Sequence, residues 1–191
     1  MTFTKHFDKY VCDGDSITCE KDGFTITARV ERDEDHGPPW KEEDGHGPVS
    51  DWRRKEDKRA GEVLLVSDRH SARFYNWQKA IKIAKRDGWG APPYETAIPE
   101  SKGEKAVRAV QHDFDILKAW CNDEWWYACL TLSVSKGNIE IDEYAASLCG
   151  IAVNCGDDCN GYLLEVANEL LDDALAVAKK RAAEMIKELT T

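Results

Sequence analysis

Long apolar runs are missing from this chain of 191 residues, and none approaches the roughly 18 consecutive apolar residues that span a bilayer. The first residues, MTFTKHFDKYVCDGD, also lack the charged-then-apolar order of a secretory leader, so the expected location is cytoplasmic. Positive charge is scarce as well: 26 Lys and Arg stand against 36 Asp and Glu, for a formal net charge of −10. Direct contact with nucleic acid or an anionic membrane is thereby disfavoured, because both need clustered cations to displace counterions or meet head groups. Catalytic templates are missing too, with no GxSxG elbow, no GxxxxGKS/T phosphate loop, no GxGxxG after a strand and no HExxH helix. Seven cysteines, an odd count, do not suit a secreted disulfide framework, and reduced thiols are expected.

What is present is enough to build a core. Hydrophobic residues make up 42% of the chain and seven are Trp, more than a disordered acidic chain carries, and the length suits one domain over 1–191. The periodicities predict an α+β fold in which antiparallel β-hairpins pack with about three helices, the last of them a long C-terminal amphipathic helix. Ile17–Glu20 and Phe24–Val30 flank an Asp-Gly turn and read as the first hairpin. Residues 31–61 then show no sustained period and read as a long acidic loop. A second hairpin (62–66 and 72–75) leads into a helix capped by Asn76 and ended by Gly88. Ser101 with Glu104 has capping-box spacing for a second helix, with an apolar stripe at Val107, Val110, Phe114 and Leu117. Residues 125–135 alternate as a strand, 139–141 return as its partner, and 145–153 could be strand or helix. From about Tyr162 to Leu189 leucines and alanines repeat at helical spacing, with Asn160 as a candidate cap.

Three features carry functional meaning. Between Gly137 and Ala178 nine acids occur and no Lys or Arg, and Glu165, Glu169 and either Asp172 or Asp173 stand three or four residues apart on one helical stripe. A row of carboxylates imitates the charge of a phosphate backbone, although a solvated helix face looks the same in sequence. The second feature is the loop Asp33–Trp52, which holds His36 and His46, each in a His-Gly-Pro tripeptide, seven carboxylates, and Trp40 and Trp52. His36, His46 and Asp44 are candidate ligands for a divalent metal or groups for acid–base work, while Trp40 and Trp52 either pin the loop to the core or anchor a partner. The third is Cys149, Cys155 and Cys159, whose spacing matches no zinc motif, so buried or loop thiols are expected and no cofactor is required.

The segments DGFTITAR, DGHGPVSDW, RFYNWQKAIKIAKRDGWG, DFDILKAWCNDEWWY, LSVSKG and YLLEVANELL together resemble a family of proteins encoded by tailed bacteriophages and prophages. The resemblance covers most of the chain and brings no activity or catalytic residue with it. What it implies is context: small acidic phage proteins of this kind are often accessory factors that bind a host protein, and some block host defence systems as acidic DNA mimics. The expected function is therefore non-enzymatic binding of a host protein, such as one that binds DNA or serves in defence, through Glu165, Glu169, Asp172, Asp173, Trp40 and Trp52. The alternative is a metal-dependent enzyme or small-ligand binder using the His/carboxylate loop. Oligomeric state is left open.

Overall fold

A computed structural model describes residues 2–90, 100–156 and 160–190. In chain order its elements are β1 (Ser16–Lys21), β2 (Phe24–Arg32), α1 (Pro39–Glu42), β3 (Arg53–Arg54), β4 (Glu62–Ser67), β5 (Ser71–Asn76), α2 (Trp77–Asp87), α3 (Lys102–Cys121), β6 (Trp126–Lys136), β7 (Ile139–Val153) and α4 (Gly161–Leu189). The fold is α+β, and the elements form two compact units, residues 1–36 with 125–191 and residues 37–124.

The first unit is an antiparallel sheet of order β1-β2-β6-β7 with α4 packed on it. Asp22 and Gly23 both adopt positive φ (55° and 76°), the two-residue turn geometry that matches the twist of the flanking strands. Phe24, Ile26, Ala28 and Val30 alternate onto the buried face of β2 and meet Leu130, Leu132 and Val134 of β6. Against them α4 lays Leu163, Val166, Ala167, Leu171, Ala174, Leu175 and Ala178, a stripe at helical spacing that supplies most of the helix's stabilisation. The stretch 145–153, open between strand and helix from its sequence, is strand: β7 runs unbroken to Val153 and carries register shifts opposite β6. Asn160 is not a side-chain cap for α4. Its buried amide instead donates to Lys9 O and Asn154 Oδ1 and accepts from Asn154 N, tying the helix start to the N-terminal segment.

The second unit sets the small sheet β3-β5-β4 against α2 and α3. Asn76 caps α2 by accepting from Lys79 N at 2.9 Å, Gly88 ends it in the left-handed region, and Ser101 and Glu104 close both arms of a capping box on α3. The α3 stripe differs from the expected one at Val107, which is 46% exposed. The buried residues are Ala106, Ala109, Val110, Asp113 and Leu117. Within 31–61, read from sequence as loop, lie the end of β2, the one-turn α1, the two-residue β3 and a 3-10 turn at Lys55–Asp57.

Candidate functional site

Glu165, Glu169 and Asp173 recur every fourth residue of α4, opposite the buried stripe, and all are exposed. At about 1.5 Å rise per residue they span about 12 Å, the axial length of roughly three to four phosphates on one DNA strand. Among the described residues these three have no ion-pair partner. Asp172 differs: Lys21 Nζ donates to its Oδ1 at 2.6 Å, and this hydrogen bond holds the Asp172 carboxyl below its ordinary value. Next to it Lys179 pairs with Asp22, so the β1–β2 turn is tied to α4 by two ion pairs.

Trp40 and Trp52 come together. The Arg73 guanidinium lies 5.7 Å from the Trp40 ring centre and 5.3 Å from that of Trp52, and Trp120 meets Trp40 edge-on at 5.4 Å. With Pro38, Val66 and Cys121 they line a cavity of about 340 Å³, in which burial pushes the Cys121 thiol up to about 11. Trp52 is 46% exposed while Trp40 is half-buried, so the second is packing for the cleft wall and the first leaves much of its ring to solvent.

His46 and Asp44 line a different cavity of about 320 Å³, with Glu43, Trp89, His112 and Asp113. The organising group is Asp113. Its Oδ1 lies 2.6 Å from His46 Nδ1, and its Oδ2 accepts from Gly47 N at 2.8 Å and Tyr75 OH at 2.5 Å. Tyr75 is fully buried, and a Cβ on residue 47 would overlap its ring, so only glycine lets the loop backbone approach this closely. Burial disfavours the imidazolium, yet the Asp113 hydrogen bond and charge, helped by Glu43, outweigh it and raise the His46 pKa. His46 Nε2 is buried without a hydrogen-bond partner, 3.7 Å from Glu43 Oε2. A carboxylate holding one imidazole nitrogen, with the ring at the wall of a cavity, is an arrangement suited to proton transfer or ligand binding.

His36 belongs to the other unit and has its own neighbours. Its ring lies tilted at 42° against Tyr127 with centres 3.8 Å apart, its Nδ1 lies 3.9 Å from Asp33 Oδ2, and its Nε2 is buried without a hydrogen-bond partner. Among the described residues one set of three potential metal-ligand atoms gathers within 4.8 Å, from Asp33, Cys129 and Cys149, and it contains none of His36, His46 and Asp44. Cys129 and Cys149 are joined by a disulfide, which overturns the expectation of reduced thiols at this pair. The cause is register: Ala128 faces Ile151 and Leu130 faces Leu148, so the bulged step Cys149–Gly150 falls opposite Cys129. Cys155 stays out of any disulfide, and Cys159 lies outside the described residues.

No protein-family model, curated protein or solved structure matches this chain. The site residues therefore stand on geometry alone. Sequence reasoning missed Asp113, although a signal was there: it lies three residues after Val110 and four before Leu117, on the helix's apolar stripe, where a carboxylate needs a partner. Asp33 with Cys129 and Cys149 had no such signal, since nothing local specifies which strand positions face each other.

Proposed function

We propose that this protein acts by binding another protein, and that the partner presents a basic, DNA-binding surface to the acidic face of α4. The observation that carries the reading is the row Glu165, Glu169 and Asp173, three carboxylates without partners on a helix whose other face is locked into the core. Rigid display matters, because a preorganised charge row costs little entropy on binding. The resemblance to phage-encoded proteins supports a host target, a DNA-binding or defence protein for which the row stands in place of phosphates. Trp52, beside Arg73 in the second unit, supplies an apolar anchor, and Trp52→Ala should weaken capture of the partner without removing its salt dependence.

The test is capture from bacterial lysate with the tagged full chain at low and high salt. A specific DNA-binding or defence protein should be recovered at low salt and lost at high salt, and changing Glu165 and Glu169 to Gln together with Asp172 and Asp173 to Asn should abolish its capture. Recovery that ignores both salt and the quadruple change would sink the mimic reading.

One observation favours a second reading, ligand binding or acid–base chemistry: the Asp113-held His46 facing its cavity. It requires a melting-temperature rise with zinc, manganese or magnesium that His46→Gln removes and the quadruple acid variant retains. Unchanged melting in all three would eliminate its metal form.

A further inference from the structure

The disulfide has chemical company that a purely structural cross-link does not need. Asp33, its side chain only 9% exposed, brings a carboxylate oxygen within 4.8 Å of the sulfur positions of Cys129 and Cys149. That carboxylate is aimed by two backbone donors: His36 N gives to Oδ1 at 3.2 Å, and Gly150 N, beside the disulfide, gives to Oδ2 at 3.0 Å. His36 adds an imidazole whose Nδ1 lies 3.9 Å from Asp33 Oδ2 and whose ring borders Gly150. Tyr127, tilted at 42° against the ring, restricts its orientation. Two sulfurs and one carboxylate thus converge on one bulge of the β6–β7 ladder, and the imidazole lies beside the carboxylate.

We propose that Cys129, Cys149 and Asp33, with His36 beside the carboxylate, form a redox-gated site for a soft divalent cation of the zinc class, closed here as the disulfide and opened by thiol reduction. Two thiolates and one carboxylate oxygen are three ligands that zinc accepts, with water completing the tetrahedron. The gating step balances with a small-molecule thiol, RSH, as reductant. The thiolate RS⁻ attacks Sγ of Cys149, the exposed half of the pair, forming RS–Sγ and releasing Cys129 as thiolate. A second RS⁻ attacks the sulfur of the first, so that RSSR departs and Cys149 leaves as thiolate. Two electrons have passed from two thiols to the protein, and their two protons go to solvent. The sulfurs must then part to about 3.8 Å, the edge of a tetrahedron of Zn–S bonds of about 2.3 Å, which side-chain rotation at the exposed Cys149 allows. The cation binds the pair in place of the lost S–S bond. The reverse exchange, in which RSSR is reduced to two RSH as the S–S bond re-forms, expels it, so the site senses thiol redox state. This site stands apart from the acidic face of α4 and does not depend on the partner-binding reading.

The experiment uses the full chain, oxidised and phosphine-reduced, titrated with cobalt(II), a spectroscopic stand-in for zinc whose thiolate complexes absorb through sulfur-to-metal charge transfer. The reduced chain should take up one equivalent with that absorption, zinc should bleach it, and the oxidised chain should show none. His36→Gln, next to the Asp33 ligand, should keep the thiolate absorption while weakening affinity about 10- to 100-fold, and Asp33→Asn should keep it while weakening affinity more than His36→Gln does. Circular dichroism on the same samples reports folding. A reduced, folded chain without the absorption overturns the proposal, as does loss of the β signal on reduction, since the ladder that gathers the ligands would be gone. Equal absorption in the Cys129→Ser/Cys149→Ser chain overturns it too, by assigning the metal to other cysteines.

Discussion

Asp113→Ala is the perturbation whose cost can be worked out most fully. The carboxylate is 6% exposed and accepts from three groups, Gly47 N–H, Tyr75 O–H and the Nδ1 of His46, at 2.5 to 2.8 Å. Removing it strands donors that water reaches poorly, because Tyr75 is 0% exposed and the loop backbone at Gly47 sits against its ring. Each buried donor left unpaired costs about 1–3 kcal/mol, so three would cost about 3–9 kcal/mol if nothing relaxed. His46, at the cavity edge, can turn toward Glu43, and water can enter the space left by the carboxylate. A net loss of about 3–5 kcal/mol is therefore expected, the range for breaking a buried charged pair. Tyr75→Phe, which removes one hydroxyl and leaves two donors on Asp113, should cost about 1.5–3 kcal/mol. The assay is urea unfolding followed by tryptophan fluorescence, which reports this unit well because five of the seven tryptophans (Trp40, Trp52, Trp77, Trp89, Trp120) lie within 37–124. A loss below about 1 kcal/mol for Asp113→Ala would mean that the three donors find other partners at little cost, and that Asp113 does not hold this unit together.

Other outcomes follow from the same physical arguments. The His46 pKa is raised above 6.5 in the fold, so its contribution is complete below that pH and disappears as pH rises through the folded value; stability of the 37–124 unit should fall across this window, and His46→Gln should flatten the decline in urea midpoints. Leu171, 1% exposed under α4, should cost about 2–5 kcal/mol when truncated to Ala. Its neighbour Asp172→Asn, on the solvent side, should leave the melting temperature unchanged, showing that the acid variants stay folded. Counting thiols by alkylation and mass spectrometry should show two additional reactive cysteines after reduction, mapped to Cys129 and Cys149; modification of either one in the untreated, air-oxidised chain would argue against the pairing.

The parts of this fold that could be read from sequence are those governed by local physics. The Asp22-Gly23 turn, the Asn76 cap, the Ser101–Glu104 box and the α4 stripe each depend on residues within a turn or two of one another, and each forms as expected. What stayed illegible depends on contacts between distant segments. Asn160 looked like a cap because Asn favours that position, but tertiary partners at Lys9 and Asn154 took its amide. Val107 looked buried because it is apolar at helical spacing, whereas small Ala106 and Ala109 let the neighbouring elements approach on the adjacent face. The same limit separates the candidate sites. The acidic row of α4 is local and was legible, while the meeting of Trp40 with Trp52 around Arg73, and of Cys129 with Cys149, required the fold.

Recognition of a basic partner by the α4 carboxylates is measured most directly as the affinity of the captured partner for the chain as salt rises, with duplex DNA as competitor. Affinity should fall steeply with salt, DNA should displace the chain, and the Glu165/Glu169/Asp172/Asp173 quadruple variant should bind no partner. Contradiction would be a partner that binds the quadruple variant as tightly as the unmodified chain and remains bound when DNA is added.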